Sequence, residues 1–383
     1  MASSMIGNQV LVLGAKIRVV DKVPPQMAWL NPRHSESFAS PAVEFCHANL
    51  INKASAEKAF SDSGDFDFVI NLAAETKYGQ SEPVYKEGIF RLSMNCAELA
   101  AKHKVKKYIE VSTAQVYSHE KHNGDRKRAS SKKYFSANKG AHVGPPAFPP
   151  HANNIQICVE GEYGLGDRNG LTPRLIIGAI YKYMKQKMQM LWTKDLKMNT
   201  VHVDDAVRAL WHLCFHGNRG QVYNLCDKGD TSQGLISSLI SELFDINYDF
   251  LGSVFSNLAR VRMTDIVDDI NEKHVRPWSD ACQRDKITNT PLNPFIDQEL
   301  LYNKHLYVDG SKIESLGFTY HVPRLEVSSL KSILDDYIGL GLMPSSLVSN
   351  EVFYTPPEHD EAGIDAGGDG DASSDLAEDT TSS

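Results

Sequence analysis

Gly14 and Asp21 are the first residues along the chain whose types and spacing suggest chemistry. Gly14 ends an apolar stretch at residues 9–14, and Asp21 ends a second one at residues 16–21. A glycine after one buried strand lets a phosphate approach the backbone, and an acid at the end of the next strand suits the hydroxyls of a ribose. In a complete dinucleotide-binding unit, this acid follows the first glycine by about 20 residues. Here the separation is seven residues.

The connection between these two stretches is too short for a crossover. Parallel neighbouring strands need about a dozen or more residues between them, whereas Gly14 and Ala15 can close only a hairpin. We therefore expect residues 9–21 to form a hairpin or one continuous strand, or to leave the sheet. We also expect the region near Gly14 to be the least regular part of the fold. The pattern is that of a cofactor-binding protein without its phosphate-binding turn.

Two later apolar stretches end in small or hydroxyl-bearing residues. Residues 65–74 end in Ala73 and Ala74, and residues 105–113 end in Ser112 and Thr113. Small side chains at the carboxyl end of a parallel strand let a flat cofactor approach, because ligands bind at that edge of open α/β sheets. Tight packing of a helix on the sheet is the alternative. A hydroxyl at this edge can hydrogen-bond a substrate alcohol or carbonyl, or it can satisfy the backbone at the strand end.

Strand and helix patterns alternate along most of the chain. Strands are predicted at residues 43–45, 65–74, 105–113, 199–203 and 221–225, and helices at residues 54–60, 87–103, 174–187, 204–212, 232–244 and 328–340. This alternation predicts an α/β fold, a doubly wound parallel sheet with helices on both faces and the first crossover missing. Residues 22–41 and 118–154 are expected to be irregular.

The chain is expected to divide into three parts. Residues 1–245 would form a Rossmann-like nucleotide-binding domain, and residues 246–349 a smaller, mostly helical substrate cap. Residues 350–383 would form an acidic disordered tail, because residues 358–383 hold nine acids and no lysine or arginine. The net charge of −8 therefore arises in the tail, and the rest of the chain is nearly neutral.

Composition excludes several classes of function. With 42% hydrophobic and 23% charged residues, the chain has the make-up of an ordinary globular protein. The basic run at residues 121–133 lacks interleaved aromatic residues, so a solvated loop is favoured and no nucleic-acid partner is expected. No stretch reaches the roughly 18 apolar residues of a membrane span. The six scattered cysteines favour a reducing, cytoplasmic location.

Three ordered motifs resemble those of one enzyme family. Residues 69–74 read Val-Ile-Asn-Leu-Ala-Ala, residues 111–117 read Val-Ser-Thr-Ala-Gln-Val-Tyr, and residues 201–206 read Val-His-Val-Asp-Asp-Ala. Together with Tyr-Gly-Leu-Gly-Asp at residues 163–167, this set resembles the extended short-chain dehydrogenase/reductase family, also called the NAD-dependent epimerases/dehydratases. The resemblance covers about residues 9–345.

The resemblance implies a set of site residues. It assigns the catalytic hydroxyl to Thr113, the acid–base pair to Tyr134 and Lys139, and cofactor binding to Gly14, Asp21, Asn49, Leu50, Ala73, Ala74 and Ser112. In the family the lysine follows the tyrosine by four residues, so that both lie on one helix face, whereas Lys139 follows Tyr134 by five. Surface residues in a loop are the alternative for this pair, and an ordinary helix cap is the alternative for Asn49. No metal site is expected.

The resemblance also implies a reaction and its cofactor. The reaction is hydride transfer between NAD and a secondary alcohol or ketone, in a nucleotide-sugar or sterol-like substrate. Asp21 favours NAD over NADP, because an acid accepts ribose hydroxyls and repels a 2′-phosphate. Since the glycine turn is missing and the tyrosine–lysine pair is out of register, we expect NAD binding to be weak or lost. A catalytically impaired pseudoenzyme or splice variant that serves as a scaffold is the alternative. The partner is a small molecule, and the oligomeric state stays open, with a homodimer as the arrangement common among relatives.

Overall fold

The computed structural model describes seven stretches of the chain: residues 16–61, 66–77, 79–117, 154–159, 161–251, 263–296 and 305–351. Gly14, Tyr134 and Lys139 lie outside these stretches, as do the basic run and the acidic tail. What we predict for them therefore stays a prediction.

The described strands pair in parallel. They are β1 (Ile17–Asp21), β2 (Val43–His47), β3 (Phe68–Asn71), β4 (Lys107–Thr113), β5 (Asn154–Val159), β6 (Glu162–Tyr163), β7 (Met188–Met190), β8 (Val201–His202), β9 (Val222–Leu225) and β10 (Tyr248–Phe250). The central sheet has four strands in the order β3-β4-β5-β9, and the pairs β1-β2, β6-β8 and β7-β10 form two-stranded sheets.

Helices connect these strands and form the carboxy-terminal part. They are α1 (Pro32–Ala39), α2 (Lys53–Ser61), α3 (Glu82–Tyr85), α4 (Leu92–Lys102), α5 (Thr172–Met184), α6 (Val203–His216), α7 (Gln233–Phe244), α8 (Met263–Arg284), α9 (Ser311–Glu314) and α10 (Val327–Gly339). A π-helical turn at Lys86–Arg91 joins α3 to α4, and 3₁₀ turns lie at Pro25–Met27, Ala114–Tyr117 and Ser345–Leu347.

Helices cover both faces of the central sheet. Along β4, Tyr108 packs with α2 and α4 on one face, whereas Ile109 packs with α6 on the other. Successive side chains of a strand point to opposite faces, so both residues are buried only because each face is covered. This confirms the α/β, doubly wound parallel arrangement that the alternation of strands and helices predicts.

The first described strand does not belong to the central sheet. β1 pairs with β2 over its whole length, from Ile17 opposite Val43 to Asp21 opposite His47. Within the described stretches, no strand pairs with the second edge of β1 or with the outer edge of β3. In a doubly wound sheet of order 3-2-1-4-5, strand 1 lies between strands 2 and 4. With β1 in the place of strand 2 and β3 in the place of strand 4, the place of strand 1 lies between these two unpaired edges. Residues 9–15 are outside the described part, so the hairpin and continuous-strand alternatives stay predictions.

Residues 22–41 are not irregular, so that expectation is wrong. They contain α1, which begins after Asn31, and the Asn31 Oδ1 accepts a hydrogen bond from the His34 N–H at 2.9 Å. Pro32 occupies the first helical position, where its missing N–H leaves no hydrogen bond unmade. An asparagine cap followed by proline is a helix-start signal. The sequence contains this signal, but the other prolines of the stretch favour irregular structure.

The carboxy-terminal part has an apolar core of its own. Buried side chains of α5, α7, α8 and α10 pack together there, among them Leu175, Ile240 and Leu330. Because α5 and α7 lie within residues 1–245, the cap shares this core with the preceding range, and the domain boundaries stay a prediction. Within the described stretches, none of the helices combines the length and apolarity that a membrane span requires.

Candidate functional site

The candidate cofactor-binding residues lie where parallel strands end. Asp21 is the last residue of β1, Ala73 and Ala74 follow β3, and Thr113 is the last residue of β4. Ligands of open α/β sheets bind at this carboxyl edge. Leu50 and Ala73 pack against the same apolar cluster of α2 and α4, which brings the ends of β2 and β3 to one side of the fold.

Asp21 has one carboxylate oxygen engaged by the protein. Its Oδ1 accepts a hydrogen bond from the Val23 N–H at 2.8 Å, and its backbone carbonyl accepts one from the Ala48 N–H at 3.0 Å. Both contacts fix the turn after β1. The side chain is half-buried, and its Oδ2 has no hydrogen-bond partner within the described stretches. That oxygen could accept a bond from a ribose hydroxyl.

Asn49 and Leu50 form a tight turn after β2. The Asn49 Oδ1 accepts a hydrogen bond from the Ile51 N–H at 3.1 Å. Asn95 of α4 donates to the carbonyl oxygens of Leu50 and Ile51 at 3.0 and 2.9 Å. The Ser55 N–H, in the first turn of α2, donates to Asn52 Oδ1 at 3.0 Å. Asn52, rather than Asn49, therefore caps the helix. A role for Asn49 and Leu50 toward adenine stays a prediction.

The end of β3 carries two small residues. Ala73 is half-buried and Ala74 is exposed. The Ala73 N–H donates to Asn71 Oδ1 at 3.2 Å, and the Glu75 N–H donates to the Gly88 carbonyl oxygen at 3.0 Å. A side chain at Gly88 would meet the Glu75 Cβ at 2.7 Å. The loop after β3 is therefore held tightly between its own strand and the π-helical turn.

A buried carboxyl group lies behind this strand end. Glu110 of β4 is opposite Asn71 of β3 and is 3% exposed. It accepts hydrogen bonds from Asn71 Nδ2 at 2.9 and 3.1 Å, from Ser93 Oγ at 2.7 Å and from the Tyr108 hydroxyl at 2.5 Å. Burial raises the pKa of Glu110 to about 7, and these hydrogen bonds oppose the rise. The sequence motifs do not identify this group.

Thr113 ends β4 with its hydroxyl engaged by the backbone. Its Oγ1 accepts a hydrogen bond from the Gln115 N–H at 3.2 Å. Ser112 and Thr113 are both half-buried, and they pair with Cys158 and Val159 of β5. The contact with Gln115 agrees with the backbone-satisfying alternative, but a hydroxyl that accepts one bond can still donate another. The catalytic role of Thr113 stays a prediction.

The Tyr-Gly-Leu-Gly-Asp loop is built around Asp167. The buried Asp167 carboxylate accepts hydrogen bonds from the four consecutive N–H groups of residues 169–172, at 2.6–3.0 Å, and so holds the start of α5. The buried Tyr163 ring meets the His202 ring edge-on, with 5.2 Å between ring centroids. His202 Nδ1 accepts a hydrogen bond from the Asp204 N–H at 3.2 Å. These contacts join the Tyr-Gly-Leu-Gly-Asp loop to the start of α6.

Arg174 has no acidic partner within the described stretches. It lies in the first turn of α5, and its Nη2 lies 3.4 Å from the Met198 sulfur. In the part of the chain that the structure describes, no carboxylate forms an ion pair with it. Burial lowers the pKa of the Arg174 guanidinium to about 10. Arg174 is half-buried, and withdrawing a charge from water without a counterion is costly. Guanidinium geometry suits carboxylate or phosphate groups, so this position favours an anionic ligand.

A short series of contacts leads from Arg174 to the end of β4. Asn199 follows Met198, the residue whose sulfur contacts Arg174. The Asn199 Oδ1 accepts a hydrogen bond from the Val308 N–H at 2.7 Å. Val308 packs with Ala114, the residue that follows Thr113. The stretch after Met198 and the stretch after β4 therefore both adjoin Val308. Arg174 is not identified by the sequence motifs.

Comparison with known proteins finds one family model. Residues 3–140 match the model of the NAD dependent epimerase/dehydratase family. This part of the chain is therefore similar to that family, as the ordered motifs predict. No curated protein matches the chain.

The fold is similar to those of solved nucleotide-sugar enzymes. The UDP-glucose 4-epimerase of Thermus thermophilus, in complex with NAD, is 14% identical with a TM-score of 0.56, over 88% of this chain and 96% of that chain. The dTDP-glucose 4,6-dehydratase DesIV of Streptomyces venezuelae, a double mutant with NAD bound, is 14% identical with a TM-score of 0.54, over 85% and 88%. The UDP-glucuronic acid 4-epimerase of Bacillus cereus, with UDP-glucuronic acid and NAD, is 14% identical with a TM-score of 0.53, over 85% and 91%. At such identities the likeness shows a shared fold.

Proposed function

We propose that this chain is an epimerase/dehydratase-type oxidoreductase homologue with an intact substrate side and a weakened cofactor side. Its reaction is hydride transfer on a secondary alcohol or ketone of an anionic, nucleotide-sugar-like substrate. The proposal rests on two groups, the strand-end hydroxyl of Thr113 and the cation of Arg174, which has no acidic partner within the described stretches. The first can hydrogen-bond a reacting oxygen, and the second can bind a phosphate or carboxylate of the same substrate.

The strand ends fit the adenosine part of NAD better than its pyrophosphate. The free Oδ2 of Asp21 suits a ribose, and the exposed Ala74 leaves space for a flat ring. Two phosphates call for several N–H donors at a helix N-terminus, and the six residues between Gly14 and Asp21 leave no room for that helix. When bound, NAD would supply the acceptor for the hydride. We infer that its affinity is low in this chain.

The protein residues would divide the remaining chemistry among them. Thr113 would donate a hydrogen bond to the substrate oxygen and orient the carbon that loses its hydride. Tyr134 would take the proton of the alcohol, and the charge of Lys139 would hold Tyr134 in its reactive form. These two roles follow from the family motif, and the five-residue step between Tyr134 and Lys139 argues for reduced turnover.

An anionic substrate is favoured over a sterol-like one. A sterol offers no group that would neutralise Arg174, so binding it would leave the guanidinium enclosed and unpaired. A nucleotide sugar carries phosphates that would replace the missing counterion. The three solved structures with a similar fold are nucleotide-sugar enzymes, which supports the same substrate class.

A second function, a non-catalytic scaffold, is favoured by one observation. β1 pairs only with β2 within the described stretches, and β3 has an unpaired outer edge there. If the glycine turn is truly lost, this chain could bind a nucleotide sugar without turning it over.

Titration calorimetry on the full chain tests the weakened cofactor side and the proposed substrate class. We expect NADH to bind more weakly than low-micromolar affinity, and UDP-glucose or dTDP-glucose to bind with release of heat, whereas a sterol sulfate serves as an anionic control without a nucleotide. Low-micromolar NADH affinity would refute the weakened cofactor side. Absence of binding by every nucleotide sugar tested would contradict the proposed substrate class.

A further inference from the structure

Glu110 is a buried carboxyl group whose hydrogen-bond partners are all donors. Tyr108 on its own strand, Asn71 on β3 and Ser93 on α4 each donate to it. Cys96 of α4 also faces it, and burial and the charge of Glu110 together raise the pKa of that thiol. No positively charged group of the described stretches acts on the Glu110 carboxyl. The charge is therefore stabilised by hydrogen bonds alone.

This set of contacts matches the ionised form of the carboxyl group. An ionised carboxylate only accepts hydrogen bonds, whereas a protonated one must also donate. Tyr108, Ser93 and Asn71 Nδ2 occupy both oxygens as donors. A proton on Glu110 would face these donors, so at least one of the three partners must turn or move when the carboxyl group is neutral.

Asn71 connects this carboxyl group to the cofactor edge. Its Nδ2 donates to Glu110 while its Oδ1 accepts the Ala73 N–H at 3.2 Å. An amide held at both ends has a fixed orientation. If Asn71 turned to offer its oxygen to a protonated Glu110, the Ala73 N–H would lose its acceptor, and the strand end would be released.

We propose that Glu110 is a proton-dependent positioning residue: its ionised form locks Asn71 and thereby fixes the Ala73–Ala74 strand end for the adenosine part of the cofactor. The proposal rests on the cofactor edge assigned under the proposed function. It predicts that the order of the strand end and the affinity for cofactor both increase as Glu110 loses its proton. Because the pKa of Glu110 is raised to about 7, this change falls close to neutral pH.

Amide exchange of Ala73 tests the positioning role without any cofactor. The exchange rate of this single amide is measured by NMR in the full chain from about pH 5.5 to about pH 8.5 and divided by the intrinsic rate at each pH. In the wild type we expect protection to increase roughly threefold or more through neutral pH. In Glu110→Gln, which cannot ionise, we expect no such step. An equal step in both proteins would overturn the proposal.

A second variant keeps the test decisive if Glu110→Gln does not fold. Ser93→Ala removes one donor to the ionised carboxylate and leaves Glu110 in place. Because a hydrogen bond to a charged group favours the charged form, its loss should move the midpoint of the Ala73 step up by about one pH unit or more. Glu98→Gln, an exposed substitution on the same helix, is the matched control and should leave the midpoint unchanged. A Ser93→Ala midpoint equal to that of the wild type would count against the proposal.

NADH titration at the same pH values tests the functional consequence. We expect the wild-type affinity to rise through neutral pH together with the Ala73 protection, and the affinity of Glu110→Gln to stay flat. Affinity that is flat in the wild type while Ala73 shows its step would overturn the link to the cofactor. If no NADH binds at any pH, the proposed cofactor side fails, and the exchange experiment still decides whether Glu110 positions Ala73.

Discussion

The amino-terminal and carboxy-terminal halves of the fold differ in how completely their outer strands are covered. All five residues of β1 are half-buried, whereas all four residues of β9 are buried. Both are edge strands within the described stretches, but β9 packs its side chains against α6 and α9. A crossover helix following the first strand would pack back onto the sheet beside β1. The chain has no residues for such a helix between Gly14 and Ile17.

Two buried carboxylates of the carboxy-terminal half receive their hydrogen bonds from within that half. The buried Asp205 accepts hydrogen bonds from the His321 and Val322 N–H groups at 2.9 and 2.8 Å and pairs with Arg208. Asp167 is likewise satisfied by consecutive N–H groups. The comparison teaches that the packing of the carboxy-terminal half does not depend on the missing crossover. One half can therefore keep its packing while the other lacks an element.

Restoring the missing element should have the largest effect on this asymmetry. Inserting a Gly-x-x-Gly-x-x-Gly turn and about 20 residues of helix between Gly14 and Lys16 should strengthen NADH binding about a hundredfold. The physical reason is the return of two or three charge-assisted N–H bonds, at about 1.5–3 kcal/mol each, and calorimetry measures the change. A flexible Gly/Ser insertion of equal length is the control and should have no effect. A restored chain that binds no better would show that the cofactor side is lost for another reason.

The restored chain also tests the catalytic residues. If it oxidises an alcohol, Thr113→Ala and Tyr134→Phe should each lower turnover roughly tenfold or more, the low end of acid–base contributions. Unchanged turnover in Tyr134→Phe would mean that residues 118–154 contain no proton donor.

Glu110 should make the stability of the amino-terminal half depend on pH. Burial raises its pKa from 4.5 to about 7, so the proton is bound more tightly in the folded state than in the unfolded state. Its contribution to stability is present below about pH 4.5 and is lost as pH rises through about 7. Relative to Glu110→Gln, the wild type should therefore lose up to about 3 kcal/mol of unfolding free energy between pH 5 and pH 8. Urea unfolding at a series of pH values measures this, and parallel pH profiles would contradict the raised pKa.

The halves also differ in how much of them can be foreseen from sequence. The strand at 107–113 and the helix at 233–244 were predictable to within about two residues, because alternating or periodic apolar residues directly reflect burial. The positions of Asp21, Ala73 and Thr113 at strand ends could be predicted, because these positions follow from the strand boundaries. Glu110 and Arg174 were not. A single acid in a strand and a single arginine in a helix read as exposed, and only tertiary packing determines that both are enclosed.

Arg174 should reveal the substrate side through opposite effects on stability and binding. Replacing an unpaired, enclosed charge with an apolar side chain of similar length is often stabilising, so Arg174→Met should raise the unfolding free energy by about 1–3 kcal/mol. The same variant should lose the thermal stabilisation that UDP-glucose or dTDP-glucose gives the wild type. Arg276→Met, at an exposed position of α8, is the control and should change neither property. A destabilised Arg174→Met that still binds the nucleotide sugar would mean that Arg174 serves packing rather than substrate.

Removing the acidic tail should have the smallest effect on stability of all these changes. The tail follows the last buried residues of the carboxy-terminal half. The last buried anchors of that half are Leu347 and Ser346, whose N–H donates to Asp285 at 2.9 Å. Deleting residues 352–383 leaves these contacts intact and removes only residues whose composition cannot supply a core. We expect the melting temperature to stay within about one degree, because surface changes away from the core seldom exceed about 0.5 kcal/mol. Since the body is nearly neutral and the tail carries the net negative charge, the deletion should be compared at low and high salt. A fall of several degrees at low salt alone would show that the tail docks electrostatically on the body.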